Sequence, residues 1–252
     1  HPNSPVIMEP IFAIDMHVRA LSTASLSAMA DIMRATHLDE AIFASLCRES
    51  DMYHVLQRCA ILVSRMALTM PPPMFHDMVR ATASWPDLCR RLISTSATLS
   101  HARSRKLVAL GLAHMLRHAS AQDKGLLSAV PDMIGMWTEV VGEVVEDEAG
   151  SADRYERELS PTRALEIGED GIPFLDEFGL IEAAPTPSSA RTDAVRSRDP
   201  SFTVPLRAYV ADTLNAVLQN GSYKTQLQSL LATIDPLVLD TLQRGLSERP
   251  VA

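Results

Sequence analysis

The chain has 252 residues, 46% of them hydrophobic, which excludes a wholly disordered polymer. Only 10 are glycine and only 5% are aromatic, poor material for the tight turns and large strand side chains of a β-sandwich or barrel. Lys plus Arg is 23 against 31 Asp plus Glu, a net charge of −8 that speaks against a nucleic-acid binder.

The apolar spacing predicts helices near 6–20, 23–35, 37–48, 52–69, 73–83, 86–95, 102–118, 123–146, 203–219, 223–233 and 236–247. Val55, Leu56, Cys59, Leu62, Val63 and Met66 recur at three- and four-residue steps, the stripe of an amphipathic helix with one buried face. The same holds for Leu126, Val130, Met133, Trp137, Val140 and Val144, and for Leu206, Val210, Leu214, Val217 and Leu218. Arg105 to Leu116, RKLVALGLAHML, is apolar on nearly all sides, as expected of a helix packed between neighbours. Asp51 is the expected cap of the helix from Met52, and Asp235-Pro236 opens the last helix. Pro71 to Pro73 stop one helix and start the next, while Pro10 and Pro131 fall where they would kink or split their helices. Helix starts near 23, 73, 123 and 203, the first three about 50 residues apart, suggest stacked pairs close to the armadillo and HEAT period. A single compact bundle is the alternative.

One stretch breaks the helical rhythm. From Glu139 to Glu182 there are 14 acids and three arginines, net −11, which leaves the rest of the chain slightly basic. Ala183 to Ser189, AAPTPSS, reads as a flexible linker, preceded by an apolar island from Ile172 to Ile181. The expected organisation is one solenoid fragment over 1–252: helical repeats over 1–146, an acidic, mostly irregular insertion over 147–199, and capping helices over 200–252.

No catalytic signature occurs: GxSxG, GxxxxGK[ST], HExxH and a GxGxxG after a strand are all missing, so no enzyme, cofactor or catalytic residue is expected. His114 and His118 stand one turn apart and with a third ligand such as His101 are the one candidate metal pair. Eight histidines make such a pair easily by chance, and no metal site is expected. Cys47, Cys59 and Cys89 are odd in number and form no CxxC, which points to core thiols in a reducing compartment and a silent Asn220-Gly221-Ser222 sequon. His1 in place of Met, with no leader behind it, suggests a piece of a longer protein. The longest apolar run, Cys59 to Met70, contains Arg65 and is too short for a bilayer, so no membrane partner is expected.

Two charge clusters are the candidate protein-binding residues. Arg90, Arg91, Arg103, Arg105 and Lys106 gather at one inter-helix connection. They are either a basic patch for an acidic partner, including the chain's own insertion, or a solvated helix end favoured by the helix dipole. Glu146, Asp147, Glu148, Asp153, Glu156 and Glu158 are either the solvated tail of a helix or a contact for a basic partner. Ser160-Pro161 and Thr186-Pro187 are short phosphorylation matches of a kind common in linkers.

The stretches DPSFTVPLRAYVADTL from Asp199 and LQSLLATIDPLVLDTLQRGL from Leu227 resemble the C-terminal end of the karyopherin-β (importin-β) superfamily, in particular importin-11 and its fungal counterparts. VLQRCAILVSRMALTMPPPMF from Val55 and RKLVALGLAHML from Arg105 are similar to C-terminal HEAT repeats of the same superfamily. The resemblance implies an all-α, right-handed HEAT-repeat solenoid that carries protein cargo through nuclear pores and moves between nucleus and cytoplasm. It implies cargo on the concave face, Phe-Gly nucleoporins between outer helices, and Ran GTPase bound through N-terminal repeats missing from this piece. It carries no catalytic residues. A HEAT scaffold or regulatory subunit unrelated to transport is the alternative.

Overall fold

The computed structural model describes residues 11, 13–15, 17, 18, 23–47, 53–123, 125–144 and 199–247. Among them there is no strand. The helices in chain order are α1 (Thr23–Ala35), α2 (Leu38–Cys47), α3 (Tyr53–Thr69), α4 (Pro72–Thr82), α5 (Trp85–Ser96) and α6 (Ala102–Arg117). A 3₁₀ turn (Leu127–Ala129) leads into α7 (Val130–Glu143). The four-residue α8 (Pro200–Thr203), then α9 (Leu206–Gln219), α10 (Gly221–Leu231) and α11 (Pro236–Ser247), follow.

The helices stack in two rows. In the first, α2, α5, α7 and α11 are successive neighbours; in the second, α3, α6 and α9 are. Chain order alternates between the rows, so α2/α3, α5/α6 and α7/α9 are three consecutive pairs of a solenoid. First helices begin at Leu38, Trp85 and Val130, about 46 residues apart, within the HEAT period. The pairs therefore begin at these positions, and not near 23, 73, 123 and 203 as the starts alone suggested. Residues 145–198 join the two helices of the third pair.

Local chemistry explains most boundaries. Ser84 caps α5 by accepting from the Asp87 N–H at 3.3 Å, with Pro86 in the first turn. Asp235 accepts from the Leu237 N–H at 2.8 Å and opens α11 as expected. Two predicted helices are shorter than the periodicity suggested. The one expected over 123–146 begins at Val130, because Gly125 lies at φ 87° and Pro131 occupies the first turn. The one expected from 203 is broken by Pro205, which lacks an N–H and separates α8 from α9. The Asp51 cap and Pro10 lie outside the described residues.

Trp137, expected on the buried stripe, is fully buried, and its Nε1–H donates to the Ala109 carbonyl of α6 at 3.1 Å. α6 is buried almost all round, as its sequence suggested. α3 departs from its expected single buried face, since Ala60, Ile61, Ser64 and Arg65 are buried too. Its second face is covered by the segment carrying Asp15 and by the segment at Asp199. α6 and α3 approach so closely that a Cβ on Gly111 would stand 2.9 Å from Ser64 Cβ. Cys59 and Cys89 are core residues, and burial pushes both thiols up to about 12.

Candidate protein-interaction site

Arg103, Arg105 and Lys106 stand in the first turns of α6. The dipole there repels cations, so the bland reading of cations at a favourable C-terminal end does not describe these three. Each has a structural setting. Arg105 donates through Nη1 to Glu143 and through Nη2 to Glu139 Oε2 at 3.3 Å, both on the last turns of α7. Arg103 lies 4.0 Å above the Phe202 ring of α8. Lys106 is buried. Arg90 pairs with Asp87 at 2.9 Å on the exposed side of α5.

The acidic candidates Glu146, Asp147, Glu148, Asp153, Glu156 and Glu158 lie outside the described residues, as do Ser160 and Thr186. Both flanks of that stretch are described, and both converge on α6. Glu143 precedes it and holds Arg105; Asp199 and Phe202 follow it, and Phe202 holds Arg103.

Periodicity did not reveal the centre of this region. Arg65 is 2% exposed, yet its Nε donates to Asp15 Oδ1 at 2.8 Å and its Nη1 to Asp199 Oδ2. Asp199 also accepts from the Ser201 N–H at 2.9 Å, which caps α8. One guanidinium thus ties together three segments remote in sequence. The sequence signal was present: a lone Arg inside the apolar run from Cys59 to Met70 requires a buried carboxylate.

A second polar knot lies at the other end of α6. Asp123 is buried and accepts from His76 Nδ1 at 2.9 Å, Arg80 Nε at 3.0 Å, Trp85 Nε1 at 3.1 Å and the Ser120 N–H at 2.7 Å. Burial raises its carboxyl, but the bonds from His76 and Ser120 outweigh this and hold it below the usual range. His114 and His118 have ring centroids 4.4 Å apart, and His114 Nδ1 meets the Tyr209 hydroxyl at 2.5 Å. Burial, then the neighbouring His118, pushes His114 down to about 4. His101, the suggested third ligand, precedes α6 at its opposite end. Among the described residues no group of three or more His, Cys, Asp or Glu is arranged to hold a metal. No helix there is long and apolar enough to cross a membrane.

Two rows of alternating helices at this spacing define an all-α repeat solenoid. Comparison of the sequence with known families gives a match to the family described as Importin-11-like, TPR repeats, over residues 10–247, and the chain belongs to that family. The unit spacing is nearer to HEAT repeats than to the 34 residues of TPR units. No curated protein and no solved structure matches the chain.

Proposed function

We propose that this chain is the cargo-engaging C-terminal arch of a nuclear transport receptor. Membership of the importin-11-like family over nearly the whole length carries this reading. In it, the chain binds protein cargo and Phe-Gly nucleoporins, shuttles between nucleus and cytoplasm, and depends on Ran GTPase through repeats N-terminal to it. The work is binding and release, through repeats that touch only their neighbours and so change curvature at small free-energy cost.

The acidic insertion is the cargo-recruiting element of this reading. Arg105 is already engaged by Glu139 and Glu143, and Arg103 by Phe202. That favours an insertion that reaches outward to a basic cargo over one that lies down on those two arginines. Replacing Glu146, Asp147, Glu148, Asp153, Glu156 and Glu158 with Ser tests it by titration against a Lys/Arg-rich cargo peptide. Affinity falls and its salt dependence flattens if the insertion recruits, because exposed charges beyond roughly 8 Å are screened at about 0.15 M salt. A rise in affinity for an acidic peptide instead identifies an internal lid. Binding to immobilised Phe-Gly repeats tests the transport reading itself, and its absence favours a HEAT scaffold with another task.

A further inference from the structure

α8 is four residues long, too short to hold a helical turn by itself, so its shape comes from its seat. The seat is made by α3 and α6, the two helices most completely enclosed among the described residues. Four consecutive residues make the contact: Asp199 places its carboxylate on buried Arg65, Pro200 and Ser201 are buried, and Phe202 lies under Arg103 at 4.0 Å. A short, local sequence on a rigid, preorganised surface is the form taken by peptide recognition.

Two features make the segment exchangeable. Pro205 breaks the helix, so α9 begins independently at Leu206 and does not depend on α8. Asp15 holds Arg65 from the other side, so Arg65 keeps a carboxylate partner when Asp199 leaves.

We propose that the seat formed by Arg65 and Arg103 is a recognition site for an acidic–aromatic turn of the pattern Asp-x-x-Phe, occupied in cis by Asp199–Phe202 and taken in trans by the same turn on a partner protein. Arg65 reads the carboxylate and Arg103 the aromatic face. The seat's geometry carries this, independently of the transport reading.

The test is fluorescence anisotropy of a labelled peptide, DPSFTVP, with the full 252-residue chain. The Phe202→Ala chain binds it about tenfold or more tightly than the unaltered chain, because the cis competitor no longer occupies the seat. Adding Arg103→Ala, or replacing the peptide's Asp with Asn, removes that gain. A folded Phe202→Ala chain with no gain overturns the proposal. Hydrogen exchange on the unaltered chain decides independently, should that variant fail to fold. The Ser201, Phe202, Thr203 and Val204 amides, bonded to Asp199 and Pro200, then exchange well before global unfolding and faster with excess peptide. Exchange of these amides only through global unfolding overturns the proposal.

Discussion

Arg65 is a buried side chain whose charge is held from two sides. Leu62, Val63 and Met66 surround it in sequence and are buried with it, and carboxylate partners, Asp15 and Asp199, make its charge tolerable there. Arg65→Met leaves two carboxylates buried together without their cation. It is expected to lower stability by about 3–5 kcal/mol, read from the midpoint of urea unfolding. His114 gives a pH signature. Its folded value of about 4 lies below the ordinary 6.5, because of burial and then the neighbouring His118, His76 and Arg117. The unfolded chain therefore takes up the proton first as pH falls. Stability is full above pH 6.5 and is lost progressively toward pH 4, by about 3 kcal/mol from this residue. His114→Gln flattens that part of the pH–stability curve. A smaller slope survives, because burial and Arg117 also lower His118.

At the scale of elements, the packing of α3 on α6 depends on one absent side chain. A Cβ on Gly111 meets Ser64 Cβ at 2.9 Å and Ser64 Cα at 3.0 Å, so backbone would have to move. Gly111→Ala is expected to cost about 1–3 kcal/mol in thermal or urea unfolding despite its better helix propensity. α11 lies against α7 with Leu242 buried and Leu239 and Leu246 half-buried, and a Cβ on Gly245 would stand 2.9 Å from Val141 Cγ1. It thus packs on the first row through this face, while Leu237 remains exposed. Deletion of 235–252 uncovers the α7 face and is expected to increase dye binding to exposed apolar surface and to promote aggregation. A soluble truncation with cooperative unfolding would show α11 to be dispensable.

For the whole molecule, the placement of the acidic insertion inside a helix pair matters more than its length. Arg105 holds α7 before it, and Arg65 and Arg103 hold the segment after it, all from neighbouring second-row helices. The third pair therefore has its own anchors on both sides of residues 145–198. Replacing those residues with a Gly/Ser linker of about 12 residues is expected to keep cooperative unfolding and to raise stability by about 1 kcal/mol through cheaper loop closure. Loss of cooperative unfolding in circular dichroism would show that the pair needs the insertion itself.

The sequence alone determined where most of the described helices lie. α1, α4 and α6 lie within one or two residues of where periodicity and prolines put them, and the caps at Asp235 and the stripe through Trp137 are as read. These are short-range matters of apolar spacing, missing N–H groups and side-chain caps, and each is written within one helix turn. Tertiary structure decided which helices are partners, because row membership depends on surfaces that meet across about 46 residues. It also decided the role of the arginines. Arg65 looked like an interruption of an apolar stripe, and Arg103 and Arg105 like parts of an open patch; each answers a group from 34 to 134 positions away. Apolar periodicity records that a face is buried, whereas the partner of a buried charge is fixed only when the chain closes on itself.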